Sequence, residues 1–132
     1  MINIDLNDIS LKLNLENGIY SFVPINGNGK TYLYHLLNSA AQFCDNLEIL
    51  TVTYSKFILS DLVSIIKSKK WDIILLDRFD LYYSKDINYC LDEIRNSSVI
   101  LIDMKNQITL KEIISDEVSI SIGEDLIEVN IL

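Results

Sequence analysis

The chain is poor in the residues that interrupt regular structure. It has one proline and four glycines in 132 positions, which argues against disorder and low complexity. Its two cysteines, Cys44 and Cys90, are far apart with no C-x-x-C spacing and no neighbouring histidine. A disulfide framework and a zinc site are therefore unsupported, and free thiols in a reducing compartment are expected. The single histidine, His35, falls on the expected first helix and reads as a helix-surface or satisfied interior residue before a catalytic one. Basic residues are outnumbered, and the net charge of −8 excludes the phosphate-neutralising surface that general nucleic-acid binding needs. The nearest basic cluster, Lys67-Ser68-Lys69-Lys70, reads as the cationic end of a helix. No run of eighteen apolar residues occurs, so no membrane span is expected. The start, Met1-Ile2-Asn3-Ile4-Asp5, lacks the basic-then-apolar order of a signal peptide. A cytoplasmic location is the default expectation.

What is present is enough apolar material, 49% of residues, for a single domain spanning 1–132. Ser10 to Leu15 alternates as a half-buried strand does, Asn17-Gly18 carries a strong hairpin-turn signal, and Ile19 to Val23 reads as the second strand. Thr31 to Phe43 has Leu33, Leu36, Leu37, Ala40 and Ala41 at helical spacing. Glu48 to Tyr54 reads as a strand, and Phe57 to Lys69 as a helix with Phe57, Ile58, Leu62, Ile65 and Ile66 on one face. Asp72 to Asp77 and Ser98 to Asp103 are continuous apolar runs, the pattern of strands covered on both sides. Lys85 to Arg95 reads as a helix between them. The last strands, Glu117 to Ile122 and Asp125 to Leu132, alternate around Gly123-Glu124 as an antiparallel hairpin at the sheet edge. Strands alternating with helices predict an α/β domain.

The chemistry centres on Val23-Pro24-Ile25-Asn26-Gly27-Asn28-Gly29-Lys30-Thr31. A strand precedes this run and a helix follows it, the context of a phosphate-binding loop. Glycines let backbone N–H groups turn toward a phosphate, and the helix start adds unpaired donors and a positive dipole end. The expected nucleotide-binding residues are Asn26, Gly27, Asn28, Gly29, Lys30 and Thr31. Lys30 would reach the outer phosphates and Thr31 would hold Mg²⁺. Pro24 stands where the full G-x-x-x-x-G-K-[ST] pattern has its first glycine. A glycine turn that merely precedes lysine and threonine is the competing reading. Asp77, ending a buried strand, is the second expected metal ligand; its competing reading is a cap on the next turn.

These motifs resemble those of P-loop NTPases, and among them the ATP-binding-cassette family. Ile9 to Tyr20 looks like that family's opening hairpin, Trp71 to Asp77 like its Walker B segment, Ser98 to Asp103 like the next strand, and the final hairpin like its closing strands. The resemblance implies a P-loop NTPase-like, mainly parallel sheet flanked by helices, with antiparallel hairpins at the N- and C-terminal ends. It implies ATP with Mg²⁺ as ligand, and Lys30 and Asp77 as central to catalysis. The chain departs from the family at several points. Arg78 follows Asp77 where the family has a glutamate. Asp103-Met104-Lys105-Asn106 contains no switch histidine. No L-S-G-G-Q-like signature occurs, and the interval from Lys30 to Asp77 is too short to house the subdomain that carries it.

Binding needs the loop, Lys30, Thr31 and the metal, whereas hydrolysis also needs a positioned water and an external charge. The expectation is an ATP-binding protein whose hydrolysis is weak or depends on a protein partner or second copy. The alternative is a degenerate pseudo-ATPase that serves as an interaction module, and a small-molecule kinase ranks last. Arg78, Asp80 and Asp103 are secondary candidates near the γ-phosphate. Asp80 and Asp103 also read as turn or strand-end residues, and Arg78 as a surface partner of Asp80 or Asp77. The aromatics Phe79, Tyr82 and Tyr83 suit either a partner surface or burial against the neighbouring helix.

Overall fold

The computed structural model describes residues 1–23, 29–53, 59–105 and 113–132. The chain opens with strand β1 (Ile2–Leu6) and strand β2 (Ile9–Asn14), paired antiparallel from Ile2↔Leu13 to Leu6↔Ile9. Asn7 makes the turn between them at φ 42, a left-handed conformation that asparagine tolerates better than most residues. This corrects the expected hairpin. Asn17-Gly18 is not its turn, and β2 does not pair with strand β3 (Gly18–Phe22). Asn17 instead donates from Nδ2 to the Asn96 carbonyl at 3.1 Å, and the Gly18 N–H donates to the Ser98 carbonyl at 3.0 Å. The physical reason is burial. All five residues of β3 are buried, so the strand needs a neighbour on each edge and cover on each face, which a local two-stranded hairpin does not supply.

After β3 come helix α1 (Lys30–Phe43), strand β4 (Ile49–Val52), helix α2 (Leu59–Lys67), strand β5 (Ile73–Leu76), a 3₁₀ turn (Phe79–Leu81), helix α3 (Lys85–Ile94), strand β6 (Val99–Ile102), strand β7 (Asp116–Ile122) and strand β8 (Leu126–Ile131). Among the described residues these strands form one eight-stranded sheet, ordered β1-β2-β8-β7-β3-β6-β5-β4. Strands β3, β6, β5 and β4 run parallel to one another. Every residue of β4, β5 and β6 is buried. Successive side chains alternate between two cores. Ile73, Leu75, Val99 and Leu101 face the α1 side with Leu33, Leu37 and Ala40. Ile74, Leu76, Ile100 and Ile102 join Leu62 and Ile66 of α2 and Ile87 and Leu91 of α3 on the opposite side.

The remaining four strands are covered differently. Leu11, Leu13, Val118, Ile127 and Val129 enter the α1 core. On the reverse face, Asn14 Nδ2 donates to Glu128 Oε2 at 3.0 Å and to Asn130 Oδ1 at 2.8 Å, a polar ladder suited to water. The expected P-loop NTPase-like, mainly parallel α/β sheet with hairpins closing its two ends is therefore corrected. The sheet is small and mixed, and half of its strands stand in the two antiparallel hairpins β1–β2 and β7–β8. The hairpins lie side by side, joined through a parallel β2–β8 contact. The C-terminal hairpin is interior, because β7 also pairs with β3; β1 and β4 form the edges. Its alternating pattern specifies a strand with one wet face but does not say which neighbour flanks it.

Leu101, fully buried in the central strand β6, tests this arrangement. Leu101→Ala is expected to lower unfolding stability by about 2–5 kcal/mol, measured by urea titration. Lys12→Ala, on the solvated face of β2, is expected to change it by less than about 0.5 kcal/mol.

Candidate functional site

Three strands, β3, β5 and β6, end on the same rim of the sheet. Beyond β3, Val23 donates its N–H to the Val118 carbonyl at 3.2 Å. The central loop residues Pro24, Ile25, Asn26, Gly27 and Asn28 lie outside the described residues, as do Tyr54, Phe57, Ile58 and Asn106. Gly29 precedes α1 at φ 88 and ψ 8. A Cβ there would come within 2.6 Å of Ile122 Cδ1, so both backbone conformation and space require glycine. The helix begins at Lys30, with the Leu33 N–H donating to the Gly29 carbonyl at 2.9 Å. Among the described residues no side chain caps this end, and its first turn contains no acidic residue. Thr31 is exposed in that turn.

Lys30 reaches across the rim. Its Nζ lies 2.8 Å from Asp103 Oδ1. Asp103 is buried immediately after β6, its N–H donating to the Leu76 carbonyl at 2.9 Å and its carbonyl accepting from the Phe79 N–H at 2.8 Å. Asp77 follows β5, with its N–H donating to the Val52 carbonyl at 2.9 Å. The Asp77 and Asp103 carboxyl groups emerge side by side from the paired strands β5 and β6. Burial, together with the neighbouring Asp103 carboxyl, holds the Asp77 carboxyl above the ordinary carboxylate range, with Arg78 and Lys30 opposing.

The next segment is braced tightly. Arg78 adopts φ 51, uncommon for a non-glycine residue. Its Nε and Nη2 donate to Asp80 Oδ1 and Oδ2 at 3.1 and 3.0 Å, a bidentate pair. The Asp80 side chain is 2% exposed, and its Oδ1 also accepts from the Lys105 N–H at 3.2 Å. Asp80 thus ties the turn after β5 to the segment after β6. Tyr82 donates its hydroxyl to the Asp77 carbonyl at 2.7 Å, and burial pushes that phenol well above its usual range. Phe79 packs edge-on to both Tyr82 and Tyr83. Phe79 and Tyr82 are buried, so these two rings serve the core and not a partner surface.

The structure brings Lys30, Asp77 and Asp103 together and sets Arg78 and Asp80 beside them as a mutual pair. Sequence reasoning missed Tyr82 as an anchor for Asp77. Its signal was a hydroxyl-bearing ring within a buried aromatic cluster, where a phenol needs a partner. His35 is exposed on α1, edge-on to Tyr34. Cys90 is buried and Cys44 half-buried, both free. Lys69 pairs with Glu48 at 3.3 Å and lies over the Trp71 ring. Among the described residues no three potential metal-ligating side chains cluster, and no helix is long and apolar enough to cross a membrane. Comparison with models of known protein families and with curated proteins finds no match to the chain.

The raised Asp77 carboxyl makes a signed prediction. A carboxyl raised in the native state binds its proton more tightly there than when unfolded. Its contribution to stability is complete below the ordinary value of 3.8 and is lost as pH rises through the raised native value. Asp77→Asn keeps a donor toward Asp103 without the second charge. Compared with the native sequence across a pH series of urea unfolding, it is expected to lack that loss and to be the more stable protein at neutral pH. Parallel curves for the two proteins would refute the assignment.

Proposed function

We propose that this chain binds ATP as its Mg²⁺ complex at the rim formed by the start of α1 and the ends of β5 and β6, with hydrolysis that is weak or requires a partner. The observation that carries the reading is the convergence of Lys30, the first residue of a 14-residue helix, with Asp77 and Asp103. The first-turn N–H groups of a helix have no intrahelical acceptors, and its dipole favours an anion there. Lys30 adds a mobile positive charge for the outer phosphates. Where parallel strands carry connections in opposite directions, ligands sit outside their carboxyl ends; here β3 leads through α1 toward β4 while β6 leads back to β7 on the other side of β3.

Mg²⁺ suits the donors. It takes one or two carboxylates together with substrate phosphates and water. The Thr31 hydroxyl and the Asp77 carboxyl are hard oxygen donors of that kind, with Asp103 beside Asp77 at the end of the adjacent strand. When bound, the ion would neutralise charge on the phosphates. The chain's own residues do the rest. Lys30 orients the terminal phosphate, and the α1 amides hold it. The residue after Asp77 is a cation already engaged by Asp80, not a carboxylate free to orient water. Turnover is therefore slow in isolation, and a protein partner or second copy supplies the missing group. The reading carries a cytoplasmic setting, consistent with the two free thiols.

A second reading, a pseudo-ATPase kept as an interaction module, is favoured by one observation: Lys30 is paired with a carboxylate of the chain itself, Asp103. Calorimetric titration with ATP, ADP and GTP, with and without Mg²⁺, separates the two. The ATPase reading expects Mg²⁺-dependent ATP binding that Lys30→Ala weakens by about 30-fold or more, the scale of removing one charged contact to phosphate. Phosphate release over hours then measures turnover. Unaltered binding in Lys30→Ala would sink the proposal.

A further inference from the structure

The Lys30–Asp103 pair has a consequence for how the proposed site responds to a ligand. The two side chains are 22% and 10% exposed, so the pair is largely withdrawn from water. The aspartate is the fixed member. Asp103 is held through its N–H by Leu76 and through its carbonyl by Phe79. Asp77, its neighbour across the β5–β6 pairing, is held by Val52 and Tyr82. Lys30 is the adjustable member, a long side chain on the first residue of a helix. A phosphate at the helix start and Asp103 therefore compete for the same ammonium group.

We propose that Asp103 is a built-in counter-ion that occupies Lys30 in the empty site and makes nucleotide binding depend on a divalent cation. The proposal rests on the nucleotide-binding reading above and adds its regulation. When Lys30 turns to a phosphate, Asp103 loses its closest cation while still facing Asp77. Arg78, the other cation whose charge acts on Asp77, is held by both carboxylate oxygens of Asp80. The buried Asp103 carboxyl is then left without its cation beside the half-buried Asp77, an arrangement that costs free energy. A divalent cation that arrives with the nucleotide restores the balance, and nucleotide alone does not. The ion pair thus discriminates against metal-free nucleotide and keeps the empty site closed to simple anions.

The test is calorimetric titration of ATP into the native protein, D103N, D103S and K30A, in EDTA and in excess Mg²⁺, with circular dichroism to establish folding of each variant. The expected result is that D103N binds metal-free ATP about tenfold tighter than the native protein does, within the usual range of coupling between two sites. The gap between metal-free and Mg²⁺-loaded affinities narrows accordingly. D103S removes the same charge in a smaller side chain and is expected to behave alike, so the result does not hinge on one variant folding. If the native protein binds Mg²⁺-ATP through Lys30 while D103N and D103S show native affinity for metal-free ATP, the counter-ion role is overturned and the nucleotide-binding reading stands. If neither the native protein nor the Asp103 variants bind ATP in either condition, the nucleotide-binding reading fails and the inference falls with it.

Discussion

Two apolar layers press on β3, β5 and β6 from opposite sides, and this confinement organises the rest of the molecule. A strand covered on both faces has no room for charge along its length. The aspartates of this region therefore fall just past the strands, Asp77 after β5 and Asp103 after β6. Because β5 and β6 are neighbours in parallel register, Leu76 opposite Ile102, the two carboxyl groups emerge side by side. Their proximity follows from strand pairing and is not a local accident of loop shape.

Proximity of two acids creates a demand for positive charge, and the chain meets it from two directions. Lys30 comes from the start of α1 and pairs with Asp103. Arg78 comes from the turn after β5, but Asp80 holds it in a bidentate pair. The two cations differ in what they are free to do. Arg78 is fixed by a strained backbone and by a carboxylate that also accepts from Lys105. Among the described residues Lys30 makes a single short contact, with Asp103, from a flexible stem. A ligand can draw Lys30 away at far lower cost than Arg78. This asymmetry, more than the number of charges, separates the roles of the two cations at the rim.

Much of this was legible in the sequence, for identifiable reasons. The continuous apolar runs ending at Asp77 and Asp103 announce doubly covered strands, and the spacing of Leu33, Leu37 and Ala40 announces α1. The failures arise where a local signal competes with a longer-range one. Asn17-Gly18 carries strong turn chemistry, yet β3 is drawn away from β2 because its whole length must be buried. The real turn falls at Asn7, where no glycine marks it. The closing strands announce a hairpin correctly, but alternation says nothing of which strand pairs with which, so its insertion between β2 and β3 was invisible. The Arg78–Asp80 pair was one of the open alternatives for those residues. Deciding it required knowing that Asp80 is buried and that the backbone at Arg78 turns left-handed.

The hairpin half of the sheet is also not a bystander to the rim. Gly29, the residue before Lys30, has its Cα hydrogen facing Ile122 so closely that a single added carbon would collide with it. Ile120 and Ile122 of β7 thus set how near the start of α1 can lie to the sheet. Ile122 is itself about half exposed, at 53%, so its packing against Gly29 is one-sided. The position of Lys30 relative to Asp103 therefore depends on two independent restraints. One is the parallel strands that fix the aspartate, and the other is the hairpin that fixes the glycine. The left-handed turn at Gly29 is where they meet, because only a residue without a side chain satisfies both the backbone angle and the contact with Ile122.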